Sequence, residues 1–239
     1  MILNINKPLN WTSFDVVRKV KSILNIKKVG HAGTLDPLAT GVLIVLTDAD
    51  TKKQDDFMQM QKEYVFEIAL GIVSETYDME GPLSLTKEFE SLSDTDISLL
   101  LHQENIENAF SKYLGKINQQ VPAYSAVKFK GKPLYKYARD KKEDDFPSLP
   151  KKEVEVYNIG ILDIIAKKEI PIMGKIHLLP HIKVKVSCSK GTYVRSLVHD
   201  VGEDLGVGAV VTELIRTKVG EYTLENSLKM DEVVSLNLT

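Results

Sequence analysis

Apolar and polar positions alternate through Tyr64, Phe66, Ile68 and Leu70, so these four side chains share one face of a strand and Tyr64 opens it. Residues 42–46, Val-Leu-Ile-Val-Leu, form instead an unbroken apolar run, the mark of a buried strand. Val16, Val17, Val20, Ile23 and Leu24 return at helical spacing, and Thr12 with Asp15 three residues on makes a capping-box-like start ahead of them. Residues 2–5 predict a short strand. Over residues 92–115, Ile106, Ala109, Phe110, Tyr113 and Leu114 draw an apolar stripe that predicts helix, with Gly115 as its stop. Residues 154–165 and 182–187 predict strands. The intervening 167–181, with Pro171, Gly174 and Pro180, predicts a loop or loose hairpin. Thr192 is expected to open a helix carrying Val194, Leu197, Val198, Val201 and Leu205, stopped by Gly206. Strands interspersed with helices, without strict βαβ alternation, predict an α/β or α+β fold on a mixed sheet.

Composition narrows the function classes. At 239 residues and 43% apolar, the chain can bury a full core as one large domain or one domain with an insertion. Its single cysteine, Cys188, excludes an internal disulfide and fits a reducing compartment. No segment approaches the roughly 20 apolar residues that span a bilayer, and the first residues lack a signal-peptide pattern. A cytoplasmic protein is therefore expected. Five scattered His and one Cys give no metal-ligand spacing, so neither metal nor cofactor is expected.

The net charge of −2 hides an asymmetry. Residues 74–107 hold nine acidic residues and one basic, a local net of −8, while residues 112–142 hold nine basic and one acidic, a local net of +8. Arg18, Lys19, Lys21, Lys27 and Lys28 form a second basic cluster. Solvated surface is the ordinary reading of such runs. Tyr124, Phe129, Tyr135 and Tyr137, interleaved with the lysines, favour an RNA-binding surface, because rings stack on unpaired bases while lysines hold phosphates.

Candidate chemistry concentrates at residues 30–41, Gly-His-Ala-Gly-Thr-Leu-Asp-Pro-Leu-Ala-Thr-Gly. Gly30, Gly33 and Gly41 permit backbone angles closed to other residues, and Pro37 pushes Asp36 towards an extended conformation. Asp-Pro is also an ordinary helix start, with Asp as N-cap and Pro in the first turn. Capping alone requires neither three glycines nor His31.

This string resembles the signature of the TruB-type tRNA pseudouridine synthases, and further blocks follow in that family's order. They are Lys7-Pro8 with Thr12-Ser13; Lys62-Glu63-Tyr64; Ser74 to Gly81; Pro122 to Lys128 with Gly131, Tyr135 and Arg139; Cys188 to Ser196; and Leu214-Ile215-Arg216-Thr217. The resemblance implies a pseudouridine-synthase fold, a mixed and mainly antiparallel sheet flanked by helices and loops. It also implies a cofactor-free isomerase that converts uridine to pseudouridine at position 55 in the TΨC arm of tRNA. One catalytic domain over residues 1–239 is expected, with an RNA-gripping thumb inserted at about 119–150 and no C-terminal PUA-type domain. A monomer without an obligatory protein partner or membrane association is expected.

By the same resemblance Asp36 is the nucleophile, with attack on the sugar, attack on the base and a glycal route all open. Arg195 matches the guanidinium that favours the ionised form of Asp36. It falls in the first turn of its predicted helix, where the dipole disfavours a cation, so an anionic partner is expected. Tyr64 would stack on the target uracil and is a candidate to take the C5 proton, although an ordinary phenol has a pKa near 10. Leu214 would floor the base, Tyr193 would line the pocket, and His31 would contact the RNA near the space vacated by the flipped base. Asp78 matches a motif position of less defined role.

Some positions depart from the family's pattern. Val121 stands where proline is usual and is expected to loosen its loop, Ile215 replaces an arginine, and residues 167–181 exceed the compact form. Three rivals remain: a tRNA-folding chaperone, which would not need the catalytic trio; the catalytic subunit of an RNA-guided particle, which leans on a PUA domain and partners; and a hydrolase, which would need a second carboxylate motif.

Overall fold

The computed structural model describes residues 1–140 and 148–237, so residues 141–147 of the expected thumb lie outside the described residues. In chain order the elements are β1 (Ile2–Lys7), α1 (Ser13–Ile23), β2 (Val29–Ala32), β3 (Ala39–Thr47), α2 (Gln54–Gln59), β4 (Lys62–Leu70), β5 (Ile72–Ser74), β6 (Leu83–Leu85), α3 (Lys87–Glu90), α4 (Asp94–Leu100) and α5 (Gln103–Ser111). There follow β7 (Gly115–Gln120), β8 (Lys128–Phe129), β9 (Lys132–Pro133), α6 (Leu134–Asp140), β10 (Lys151–Ile172), β11 (Lys175–Cys188), α7 (Val194–Asp204), β12 (Ala209–Val219) and β13 (Tyr222–Thr223). This is a mixed α+β fold built on a mainly antiparallel sheet. No helix among the described residues is long and apolar enough to cross a membrane.

The chain divides into two compact units. The first comprises residues 1–66, 185–190 and 213–239. Within it β3 is the organising strand, buried along almost its whole length as its unbroken apolar run predicts. β1 and β2 pair antiparallel with β3, and β12 joins it in parallel with Leu214 opposite Ala39 and Arg216 opposite Gly41. Val42, Ile44 and Leu46 alternate onto one face, where they pack with Ala32, Phe57 and Val219. α1 carries the predicted capping box, with Thr12 and Asp15 bonding each other's backbone, and buries Val16, Val17 and Val20.

The second unit comprises residues 67–184 and 191–212. Here β10 pairs antiparallel with β7. Of the two alternatives for residues 167–181 the hairpin holds and not the loop: β10 and β11 run to a tight turn at Met173-Gly174. Both turn residues have positive φ, 48° and 79°, the geometry a two-residue hairpin needs. Residues 92–115 are not one helix either. The chain breaks at His102, a second capping box at Ser93 and Asp96 starts α4, and α5 carries the buried Ile106, Ala109 and Phe110. Gly115 opens β7 instead of stopping the helix at its own position.

Val121 is fully buried and its N–H donates to the Pro150 carbonyl at 2.9 Å, so it fastens this loop through a bond that proline lacks.

Candidate active site

Asp36 sits in a turn whose two flanking residues are fixed by the first thirteen residues of the chain. Lys7, the last residue of β1, is fully buried, and its Nζ donates to the carbonyls of Pro8 (2.8 Å), Trp11 (2.5 Å) and Pro37 (3.3 Å). The N–H of Asn10 donates to the same Pro37 carbonyl. On the other side, Ser13 Oγ accepts from the Leu35 N–H at 2.8 Å and donates to the Leu35 carbonyl at 3.2 Å. Ala39 N–H closes the turn on the Asp36 carbonyl at 3.0 Å and leads straight into β3. Asp-Pro is therefore a turn into a strand and not a helix start. Asp36 is half-buried.

Arg216 locks the glycines around this turn. It is 1% exposed, with Nε donating to the Val42 carbonyl at 2.7 Å and Nη2 to the Gly33 carbonyl at 3.0 Å. Gly41, directly across from it in β3, has φ +98°, and a Cβ there would lie 2.3 Å from the Arg216 carbonyl oxygen. Only glycine fits.

The Arg216 charge also acts on two of the expected residues of the first unit, Tyr64 and His31. Tyr64 and Leu214 are buried in β4 and β12. Burial raises the Tyr64 phenol above its ordinary value; the Arg216 charge opposes this and the Asp36 charge adds to it. His31, in β2, is lowered by burial and then by Arg216, and its Nδ1 is buried with no hydrogen-bond partner among the described residues. Lys62 is buried, donates to the Met58 and Met60 carbonyls at 2.6 and 2.5 Å, and is pushed down to about 8 by burial and by Arg216.

The second unit holds Asp78, Tyr193 and Arg195. Arg195 is 4% exposed in the first turn of α7, with Nε 3.5 Å from Asp78 Oδ2. Its Nη1 donates to the Thr76 carbonyl at 2.8 Å and its Nη2 to the Tyr124 carbonyl at 2.9 Å. Asp78 Oδ1 accepts from Thr76 Oγ1 (2.6 Å) and from the Glu80 N–H (2.9 Å). Gly81 follows because a Cβ there would come within 2.4 Å of Ser74 Oγ.

Thr192 does not cap α7. Tyr193 is the N-cap, without a side-chain cap bond. The buried Gln119 grips its backbone instead, donating to the Tyr193 carbonyl at 2.9 Å and accepting from its N–H at 2.7 Å.

Over residues 128–140 cations lie over rings: Lys130 over Phe129 at 5.4 Å, Lys132 over Tyr137 at 4.4 Å and Arg139 over Tyr135 at 5.4 Å.

Sequence reasoning missed the anchoring roles of Lys7, Ser13, Gln119 and Arg216. All four lie in or beside the motif blocks, but nothing in a linear pattern says that a long polar side chain will be buried.

Comparison with known proteins bears on this arrangement. Residues 21–194 match the model of the TruB family pseudouridylate synthase N-terminal domain, and residues 195–238 match that of the tRNA pseudouridylate synthase B C-terminal domain. The chain is 41% identical to the tRNA pseudouridine synthase B of Clostridium tetani over 99% of its own length and 73% of the relative's. It is 39% identical to that of Parabacteroides distasonis, covering 97% and 91% respectively. Among solved structures, it is similar to chains of a box H/ACA particle bound to a substrate RNA containing 2′-deoxyuridine (25% identity, TM-score 0.63) and of a Cbf5–Nop10–Gar1 complex (27%, 0.66). It covers 98% of itself but only 52% and 53% of those chains, about half their length. With the family's motif blocks folded into two anchored clusters and its models matched from residue 21 to residue 238, this chain belongs to the TruB family of pseudouridylate synthases.

Proposed function

We propose that this chain is an isomerase that converts uridine to pseudouridine in tRNA, acting at position 55 of the TΨC arm, with Asp36 as its nucleophile. The observation that carries this reading is the Asp36 turn. Leu35, Pro37 and Gly33 are each tied down by buried groups, so the backbone that carries the carboxylate is fixed, and Asp36 does not serve as a helix cap. Such preorganisation is what a nucleophile that must meet a flipped base requires.

The reaction breaks the C1′–N1 bond, turns the uracil and joins C5 to C1′. The C5 proton leaves and N1 is protonated, so nothing is oxidised and no group is lost. Asp36 holds the intermediate as a carboxylate, and Arg195 is the guanidinium that the family's motif pattern assigns to the same reaction. Tyr64 stacks on the uracil: its raised phenol stays neutral near pH 7, which supports packing over proton removal. Leu214 floors the base, Tyr193 lines the pocket, and neutral His31 contacts the RNA. The basic thumb grips the stem through its phosphates.

The RNA-guided reading rests on the solved structures at 25–27% identity, and the tRNA reading on relatives at about 40% that the chain covers far more fully. The test is an unmodified tRNA transcript incubated with the purified chain, derivatised with carbodiimide and mapped by primer extension. A stop reporting position 55, with no guide RNA added, is the expected result. Modification only with a guide RNA and partner proteins would overturn the tRNA reading, and a stop elsewhere would move the site.

A further inference from the structure

We propose that Tyr77 and His199 form a stacked clamp that positions the Asp78–Arg195 pair for catalysis; this rests on the isomerase reading above. Tyr77 lies between the two residues of its segment that engage Arg195: the Thr76 carbonyl accepts from Nη1 at 2.8 Å and Asp78 faces Nε at 3.5 Å. Its φ is +62°, in the left-handed region that bulky residues rarely enter. This reversal turns the chain so that a carbonyl on one side and a carboxylate on the other aim at a single guanidinium. Such a conformation persists only when its surroundings hold it.

Two backbone bonds contribute to that hold, from Tyr77 N–H to the Ser74 carbonyl and from Val211 N–H to the Tyr77 carbonyl, each 3.0 Å. The third element is aromatic. The His199 ring lies 4.1 Å from the Tyr77 ring, with the planes only 7° apart. His199 is four residues beyond Arg195 on α7, one turn along the same face. The stack therefore ties the apex of the turn to the helix that carries Arg195. The turn and the guanidinium are held together at two points, and the ion pair, long at 3.5 Å, keeps its register through the second. Tyr77 and His199 are thus positioning residues, acting through Asp78 and Arg195.

The test separates the ring from the backbone. Tyr77→Asn keeps a residue that tolerates positive φ and removes the ring, Tyr77→Phe keeps the ring, and His199→Ala and His199→Phe repeat the comparison from the helix side. Single-turnover rates and tRNA Kd are measured on full-length protein, with thermal midpoints for folding. Tyr77→Asn and His199→Ala should slow the chemical step about tenfold or more, with tRNA Kd held to within about twofold. Both Phe variants should remain near the unsubstituted rate. In parallel, ¹⁵N-arginine NMR follows solvent exchange at the Arg195 Nε–H, which should quicken in Tyr77→Asn and His199→Ala and not in the Phe variants. Unchanged rates and unchanged exchange in Asn and Ala variants would overturn the clamp, as would Phe variants as slow as these. Should Tyr77→Asn not fold, the His199 pair decides alone. Inactive unsubstituted protein with the exchange pattern intact would sink the isomerase reading and leave the clamp standing.

Discussion

Arg216 shows how one residue sets the conditions for several others. Taking a guanidinium out of water is costly unless its donors are met, and two of them meet the Gly33 and Val42 carbonyls on either side of the Asp36 turn. Arg216→Gln should destabilise the protein by about 2–3 kcal/mol, the worth of hydrogen bonds from a charged donor, measured by urea unfolding. It should also raise the titration midpoint of His31 towards the ordinary 6.5, read by NMR, since burial and then the Arg216 charge hold it down. The sign for stability follows. A histidine whose folded pKa is lowered stays neutral when the unfolded chain takes up its proton. Stability is therefore full above about pH 6.5 and falls as pH drops through that value. Between pH 7.5 and 5.5 the unsubstituted protein should lose more stability than His31→Gln; an equal loss would remove His31 as the cause. Gly41→Ala meets both a φ of +98° and the Arg216 carbonyl at 2.3 Å, and should cost at least about 2 kcal/mol in the same assay. Asp36, Tyr64 and Leu214 are singled out by the sequence because they sit in dense motif blocks. The parts of Lys7 and Arg216 were not, because register places Arg216 across from Gly41 and register is invisible in one strand's pattern.

At the scale of elements, regular periodicity translated well and punctuation did not. The runs that became β3, β4 and α1 were readable from their own spacing. Pro171 and Pro180 read as breakers, yet they are accommodated within β10 and β11, whose turn is made by Met173 and Gly174. The stripe of α5 was real, but Ser93-x-x-Asp96, a start signal inside the supposed helix, divides it from α4. Over residues 128–140 the sequence offered charge and aromatic content, and the structure adds that Lys130, Lys132 and Arg139 cover ring faces. Replacing Lys128, Lys130 and Lys132 with Ala should flatten the salt dependence of tRNA binding, each lost phosphate contact lowering the log–log slope by about 0.7–0.9. An unchanged slope in a filter-binding titration would show that this element faces away from the RNA.

Over the whole molecule, the acidic stretch 74–107 and the described part of the basic stretch 112–142 both belong to the second unit, and the Asp36 turn belongs to the first. Each unit is assembled from separated segments, the first from residues 1–66, 185–190 and 213–239. Local patterning cannot reveal such interleaving, because it depends on which strands pair across long separations. What the sequence did carry at this scale was the ordered set of motif blocks, and these are the segments that build the two clusters around Arg216 and Arg195. Everything proposed for the two clusters depends on Asp36 being the nucleophile of a uridine isomerase. The most direct measurement is tritium release from unmodified tRNA labelled at uridine C5, run with the unsubstituted protein and with Asp36→Asn. Release by the former and none by the latter is the expected result, with tRNA bound equally well by both. Release by Asp36→Asn at the unsubstituted rate would contradict it.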